Sequence, residues 1–551
     1  MKADRIIKNA KIFTSDINKP QATALAVKDG KFIYVGDEAG LSEYEGEVVD
    51  LGEKFIMPAI LDTHVHVTMP VGFEYADAGE RLEPDGKQEA LDIMAKYIRE
   101  NPGEERYRFV LEKRFLNGED IVKEELDAIC PDAEILIQEG EGHIIWVNSR
   151  VLAKHGINDD TPDPVPGLAF YVRKDGHVTG SMIEVATEVP IILDSVMDLT
   201  DEQIDAALQR WIDFSTEYGV CAVFDAGIAG APKFHEKIYK RICELDNLGK
   251  LPVYVDGCLV INTERDAEEG IKELKRLRRE YNTEHLKIHT VKVFMDGTQK
   301  IHTAAYVTPY ADTGELGPTA FTAEGIARLL KKLNEEDLDL HLHTVGERAS
   351  RTVLDGYEMA KKEMGDSLKV RVTCAHLEIQ DDADLDRFAK LGVFANFTPH
   401  WHAGDPKHLE HLLGEERSRK QFRCKTIWDS GAQVAWSSDN INFGDFISWN
   451  PYLGMEIGMT RLASEKTRVH EYARSKAVFP PAEERMGIEE MLLGFTINGA
   501  KQLGIEDKKG SITVGKDADF LVFDKDLLTA EHEGFSYNKP QDVYFCGKKV
   551  N

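Results

Sequence analysis

Two histidines one residue apart, His64 and His66 in FIMPAILDTHVH (55–66), are the first residues whose type and spacing could do chemistry. An extended strand has a side-chain period of two, so both imidazoles leave on one side and can grip a single ion. Hydrogen-bonded core histidines give the same pattern, and the meaning of the pair therefore depends on its company. Lys292 in HTVKVFMDG, His343 in LDLHLHTVGE, His376 in VTCAHLE and Asp439 in AWSSDN each lie near the end of a short apolar run. Imidazole and carboxylate are metal ligands, and polar groups at the ends of buried strands need such a reason to be there.

Lys292 stands between Val291 and Val293, where an unpaired ammonium would be costly to desolvate. Either it pairs with a carboxylate such as Asp296, or its depressed pKa leaves a neutral amine that captures carbon dioxide and bridges two metals as a carbamate. Residue type alone favours pairing; beside five other ligand-type residues we adopt the carbamate. His341 shares a face with His343, and His343 is preferred because it lies nearer the C-terminal end of its run. Asp62 shares the face of the histidine pair and could orient an imidazole. Asp439 could cap a helix; beside a metal it can ligate and take a proton from water.

These residues must be positioned by strands, and the chain supplies eight β-rich runs: 55–66, 219–227, 251–260, 288–297, 338–347, 369–378, 392–401 and 432–440. Amphipathic helical stretches alternate with them, the pattern of parallel βαβ units, and eight is the number that closes a (β/α)8 barrel. Barrel active sites form at the C-terminal strand ends, where the six candidates fall. The first two runs are separated by about 150 residues, far beyond an ordinary loop, which predicts an inserted, partly β subdomain at about 70–200. Short alternating runs with DG and GE turns at 1–55 and again at 505–551 predict a small β-sandwich built from both chain ends, with the hydrolase-type barrel occupying 56–504.

The 551 residues carry 67 Lys+Arg against 97 Asp+Glu, a net charge of −30 that disfavours nucleic acid and anionic lipid as partners. A small-molecule substrate is expected. No apolar run reaches about 18 residues and MKADRIIKNAKIF lacks a signal-peptide core, which predicts a cytoplasmic protein without membrane contact. The seven cysteines are scattered without CxxC spacing, as expected of reduced thiols. Oligomeric state is left open, a homo-oligomer included.

The order HxH, Lys, His, His, Asp, followed by GSITVGKDADFLVFD, resembles the amidohydrolase superfamily. More narrowly, VKVFMDGT (291–298), TAAYVTPY (303–310), HTVGERA (343–349), AHLEIQDD (375–382) and GHIIWVNSRVL (142–152) resemble amidohydrolase family 3, the group that includes N-substituted formamide deformylases. The resemblance covers nearly the whole chain. It implies that His64, His66, carboxylated Lys292 and Asp439 hold one divalent metal, while Lys292, His343 and His376 hold the other. Zinc suits such an imidazole-rich site best, and iron, manganese or cobalt could use the same ligands. A hydroxide shared by the two metals would then attack the scissile carbonyl carbon, with Asp439 moving the proton to the departing amine. The chain departs from the family pattern at Met57-Pro58-Ala59-Ile60, where relatives carry PGF, and at HTVGE, where they carry HAxGD; neither change removes a ligand.

His143 in the insertion, and His302, Trp401 and His402 in loops after the fourth and seventh runs, are candidates for substrate contact. Trp146 and His400 are weaker ones. Two other functions compete with amide hydrolysis. A mononuclear-metal deaminase of an amino-substituted heterocycle would carry a glutamate three residues after the fifth-strand histidine, where this chain has Gly346. An inactive barrel serving as a binding module would have no reason to keep all six ligand-type residues.

Overall fold

The computed structural model describes residues 1–76, 79–111, 120–140, 142–444, 449–464 and 477–551. Eight strands form the central sheet: β1 (Ile60–Val65), β2 (Val220–Asp225), β3 (Tyr254–Val260), β4 (Leu286–Phe294), β5 (Asp339–Thr344), β6 (Val372–His376), β7 (Phe394–Phe397) and β8 (Val434–Trp436). Each pairs in parallel with the next. The ring closes between β8 and β1, where the Asp439 N–H donates to His64 O (2.9 Å), the His66 N–H to Asn440 O (3.0 Å), and Thr63 Oγ1 to Trp436 O (2.9 Å). Every residue of β1, β2 and β6 is buried, as expected when a strand is covered by barrel core on one face and helices on the other.

The helix Asp201–Tyr218 shows how sequence sets these units. Thr200 and Gln203 form a capping box at its start, Ile204, Ala207, Leu208, Trp211 and Ile212 bury one stripe, and Gly219 ends it at φ 78°. A Cβ on Gly219 would lie 2.4 Å from Leu521 Cδ2, so the left-handed turn and the packing both require glycine before β2 begins.

All eight expected strands exist, and several are shorter at their C-terminal ends than their apolar runs. β4 stops at Phe294, β7 at Phe397 before a 3-10 turn beginning at Pro399, and β8 at Trp436. The residues beyond leave the ladder and build the mouth.

Both chain ends contribute to a second, eight-stranded sheet, in which Phe520–Phe523 runs antiparallel to Glu45–Pro58 with Phe520 opposite Pro58 and Val522 opposite Ile56. Alternation divides its side chains. Ile56, Phe520 and Val522 pack with Ile7, Leu25 and Phe32 in the sheet's own core, while Phe55, Met57, Leu521 and Phe523 join the barrel's. Between β1 and β2 lies a six-stranded sheet, from Glu80–Leu82 to His177–Ile183, with a separate core of Met94, Phe109, Ile137 and Trp146. Among the described residues no helix is long and apolar enough to cross a membrane.

Candidate metal centre

The pleat of β1 delivers His64 and His66 together, with ring centroids 5.5 Å apart. His66 Nδ1 lies 2.7 Å from the Gly227 carbonyl, which can only accept, so that nitrogen carries a proton. In the neutral ring Nε2 then presents a lone pair, and it faces Asp439 Oδ1 at 3.2 Å. His64 Nε2 lies 3.5 Å from the same oxygen, and His376 Nδ1 is 3.9 Å from Asp439 Oδ2. Burial, reinforced by the Lys292 charge, holds His64 well below the ordinary imidazole pKa; burial does the same for His376 beside His343.

Electron pairs therefore converge where few protons are available. Asp439 Oδ1 and His376 Nδ1 are buried without a hydrogen-bond partner among the described residues, an arrangement that is unfavourable unless a positive charge sits between them. One atom each of His64, His66 and Asp439 lie within 4.8 Å of one another. Such a donor set fits a divalent cation. His376, the last residue of β6, and Asp439, three residues beyond β8, also have φ of 76° and 51°, left-handed backbone at two positions of the cluster.

Lys292 is completely buried. Its Nζ lies 3.4 Å from His64 Nε2 and 4.9 Å from the Phe294 ring centroid, with no ion-pair partner among the described residues. Burial brings its pKa down to about 8. Asp296, the carboxylate that could have neutralised it, instead accepts backbone N–H groups of Ala305, Val345 and Gly346, each at 2.9 Å. Pairing with Asp296 does not occur.

His343 places its ring 4.4 Å from that of His376, and its Nε2 lies 3.3 Å from Gly297 O. His341 leaves the same face of β5 one pleat deeper. Its Nε2 approaches His64 Nδ1 at 2.9 Å while its ring stacks on Phe224 at 4.2 Å, so it fixes the orientation of His64. Among the described residues Asp62 makes no hydrogen bond or ion pair with an imidazole; Oδ1 accepts the Ser438 N–H at 3.0 Å and ties the segment after β8 to β1 just before Asp439. Asp225 accepts the N–H groups of Val67 and Gly227 and pairs with His235, thereby setting the carbonyl that holds His66.

The four candidates for substrate contact separate. Trp401 stacks on His376 at 5.4 Å and 17°. His143 pairs with Glu184 at 2.8 Å; burial alone would lower its pKa, but the adjacent carboxylate outweighs burial and raises it to about 9. His302 is tied to Asp312 at 2.8 Å and leans on Tyr310. His402 is buried, stacked on Phe422 and 3.9 Å from Cys424 Sγ. His302 and His402 are thus engaged with other partners, while Trp401 touches the cluster and His143 stands in a cleft beside His343.

Glu184 escaped the sequence analysis. It is buried at φ 69° and ψ 153°, a region almost reserved for glycine, and it receives both His143 and the Thr303 hydroxyl. Nothing in SMIEVATEVP distinguishes it from an ordinary helix start.

With this geometry in hand, comparison with known proteins is decisive at the level of family. The profile described as the amidohydrolase family matches residues 47–550. The chain belongs to the amidohydrolase family. Among curated amidohydrolase relatives, the N-substituted formamide deformylase of Arthrobacter pascens is 24% identical over 540 residues, covering 95% of this chain and 94% of the relative. Protein LONG AFTER FAR-RED 3 of Arabidopsis thaliana is 25% identical over 564 residues, covering 100% and 91%. Among solved structures, an uncharacterized metal-dependent hydrolase from Pyrococcus horikoshii superimposes with a TM-score of 0.65 at 22% identity over 96% of this chain and 99% of that one, the same barrel fold.

Proposed function

We propose that this amidohydrolase is a metal-dependent enzyme that hydrolyses the carbon–nitrogen bond of a small amide or formamide. The observation that carries the proposal is the convergence of His64, His66, His376 and Asp439, with unpartnered buried acceptor atoms, around an uncompensated Lys292.

His64, His66 and Asp439 would hold one divalent ion and His343 and His376 a second, with Lys292 between them as a carbamate. The amine of Lys292 is buried, lowered in pKa and without an ion-pair partner among the described residues, which suits reaction with carbon dioxide to give an anion and a proton. Two ions, zinc first among the candidates, would lower the pKa of water and polarise the scissile carbonyl. Asp439 takes the proton as water attacks the carbonyl carbon, then delivers it to the departing nitrogen. The carbon–nitrogen bond breaks, and a carboxylic acid and an amine leave. His143, protonated through its contact with Glu184, faces the substrate as a hydrogen-bond donor, and Trp401 keeps water from one side of His376.

Gly346 favours this reaction over deamination. A Cβ there would lie 2.1 Å from the Ala305 carbonyl oxygen, so the position that a deaminase fills with glutamate has no room for a side chain. Glu347 is turned to the Val307 N–H.

The test is metal content and turnover of protein purified from metal-replete cells. About two ions per chain, release of amine from a panel of N-formyl and N-acyl amines, and loss of activity on chelation with recovery in zinc or manganese are the expected results. One ion per chain, with ammonia released from aminoheterocycles and no amide turnover, would replace the proposal by deamination.

A further inference from the structure

Beside His343 a small cleft runs between the inserted sheet and the barrel mouth. Its walls are Val165, Leu168, Ala169, Ala186, Ala229 and Phe294, drawn from the insertion, the loop after β2 and the end of β4. The first five form a hydrophobic cluster of their own, against which Phe294 packs.

The two carboxylates at the edge of this cleft, Glu184 and Asp296, are already engaged within the protein. Glu184 uses one carboxylate oxygen on His143 and the other on Thr303. Asp296 is consumed by three backbone N–H groups. Gly297 makes room for the Glu184 carboxylate, since a Cβ there would lie 1.8 Å from Oε1. A cationic substituent entering the cleft would lose its hydration and meet only carboxylates already engaged, an anionic one would meet the same two negative charges, and an alkyl group would lose only contact with water.

We infer that the cleft is a specificity subsite for an uncharged, branched or linear alkyl substituent of the amide, with Ala229 and Leu168 setting its size. The inference rests on the amide-hydrolase proposal and sharpens its substrate class. The substituent can belong to the amine half or to the acyl half, and the experiment separates the two.

Two homologous series are assayed with the metal-loaded enzyme: N-formyl derivatives of methylamine, propylamine and isopentylamine, and N-methyl amides of acetic, butyric and isocaproic acids. In one series kcat/KM rises roughly fourfold per added methylene, the value of one buried CH2 group. A terminal ammonium or carboxylate abolishes that gain. In Ala229→Leu, which fills the cleft, the gain disappears, so that kcat/KM no longer rises from the shortest to the longest member of that series. Leu168→Ala, which enlarges the cleft, moves the optimum to a longer chain and guards against misfolding of the first variant.

A flat response in both series, or a gain that survives Ala229→Leu in a folded protein that still turns over the shortest amide, overturns the inference. Absence of turnover for every amide, the shortest included, overturns the proposed reaction itself and the subsite with it.

Discussion

His341 Nε2 lies 2.9 Å from His64 Nδ1, so one candidate ligand is held in place by the histidine two residues before another, His343. The contact fixes which His64 nitrogen faces Asp439. Replacing His341 with asparagine is expected to weaken metal binding about 10- to 100-fold, the usual consequence of removing a partner behind a ligand. Metal titration by calorimetry measures it; unchanged affinity would show that His64 holds its orientation without help.

Lys292→Ala should remove most bound metal and at least about 100-fold of kcat, because the anion proposed to join the two ions is gone. Short carboxylic acids added to the variant should restore part of both. Full activity without rescue would eliminate the carbamate.

The pH dependence of kcat/KM follows from His143. Its pKa is raised to about 9 by Glu184, so its N–H donor is present at neutral pH and lost as pH climbs through about 9. Activity should fall on that limb. In Glu184→Gln the inflection should move down toward the ordinary imidazole range, by an amount visible in a pH–rate profile, and an unmoved inflection would detach His143 from the reaction.

His289 provides a contrast at the opposite end of the barrel. Its ring lies between Asp256 (3.1 Å) and Asp339 (3.3 Å). Burial opposes its charge, but the two carboxylates win and raise its pKa to about 10. A histidine whose folded pKa exceeds its unfolded value stabilises the fold fully below the unfolded value, about 6.5, and loses that contribution as pH rises through the folded one. Stability should therefore decline between about pH 6.5 and 10. His289→Gln should lose on the order of 3 kcal/mol at neutral pH, as expected for breaking a buried ion pair. Its pH dependence in that window should flatten. Urea denaturation at several pH values tests both statements, with kcat per bound metal unchanged.

Much of this architecture could be read from the chain. Buried parallel strands are continuous apolar runs, so all eight were visible, and an imidazole or amine breaking such a run is conspicuous. That is why His64, His66, Lys292, His376 and Asp439 could be picked out before any coordinates. What was hidden depends on the third dimension. His341 and His343 differ only by one pleat; nearness to the strand's C-terminal end favours His343 as the ligand, but nothing in LDLHLHTVGE shows that His341 lies behind His64. Asp62 shares a face with the imidazoles, yet its oxygen is captured by the Ser438 N–H just beyond β8, 376 positions later in sequence. Strand ends were overestimated because the residues of the mouth remain partly apolar while their backbone has left the ladder. Glu184 and the partners that engage His302 and His402 are tertiary contacts without a local pattern.

The pairing of Phe520–Phe523 with Glu45–Pro58 bears on how the protein is made. At about 5–20 residues per second, translation takes roughly half a minute to a minute and a half to pass from one strand to the other. Through that interval the early strand has an open edge, with Ile56 and Met57 uncovered on its two faces. The ribosome-bound intermediate is then a natural client for chaperones that shield unpaired strands, and ribosomes stalled before residue 520 would release chains prone to aggregate through that edge.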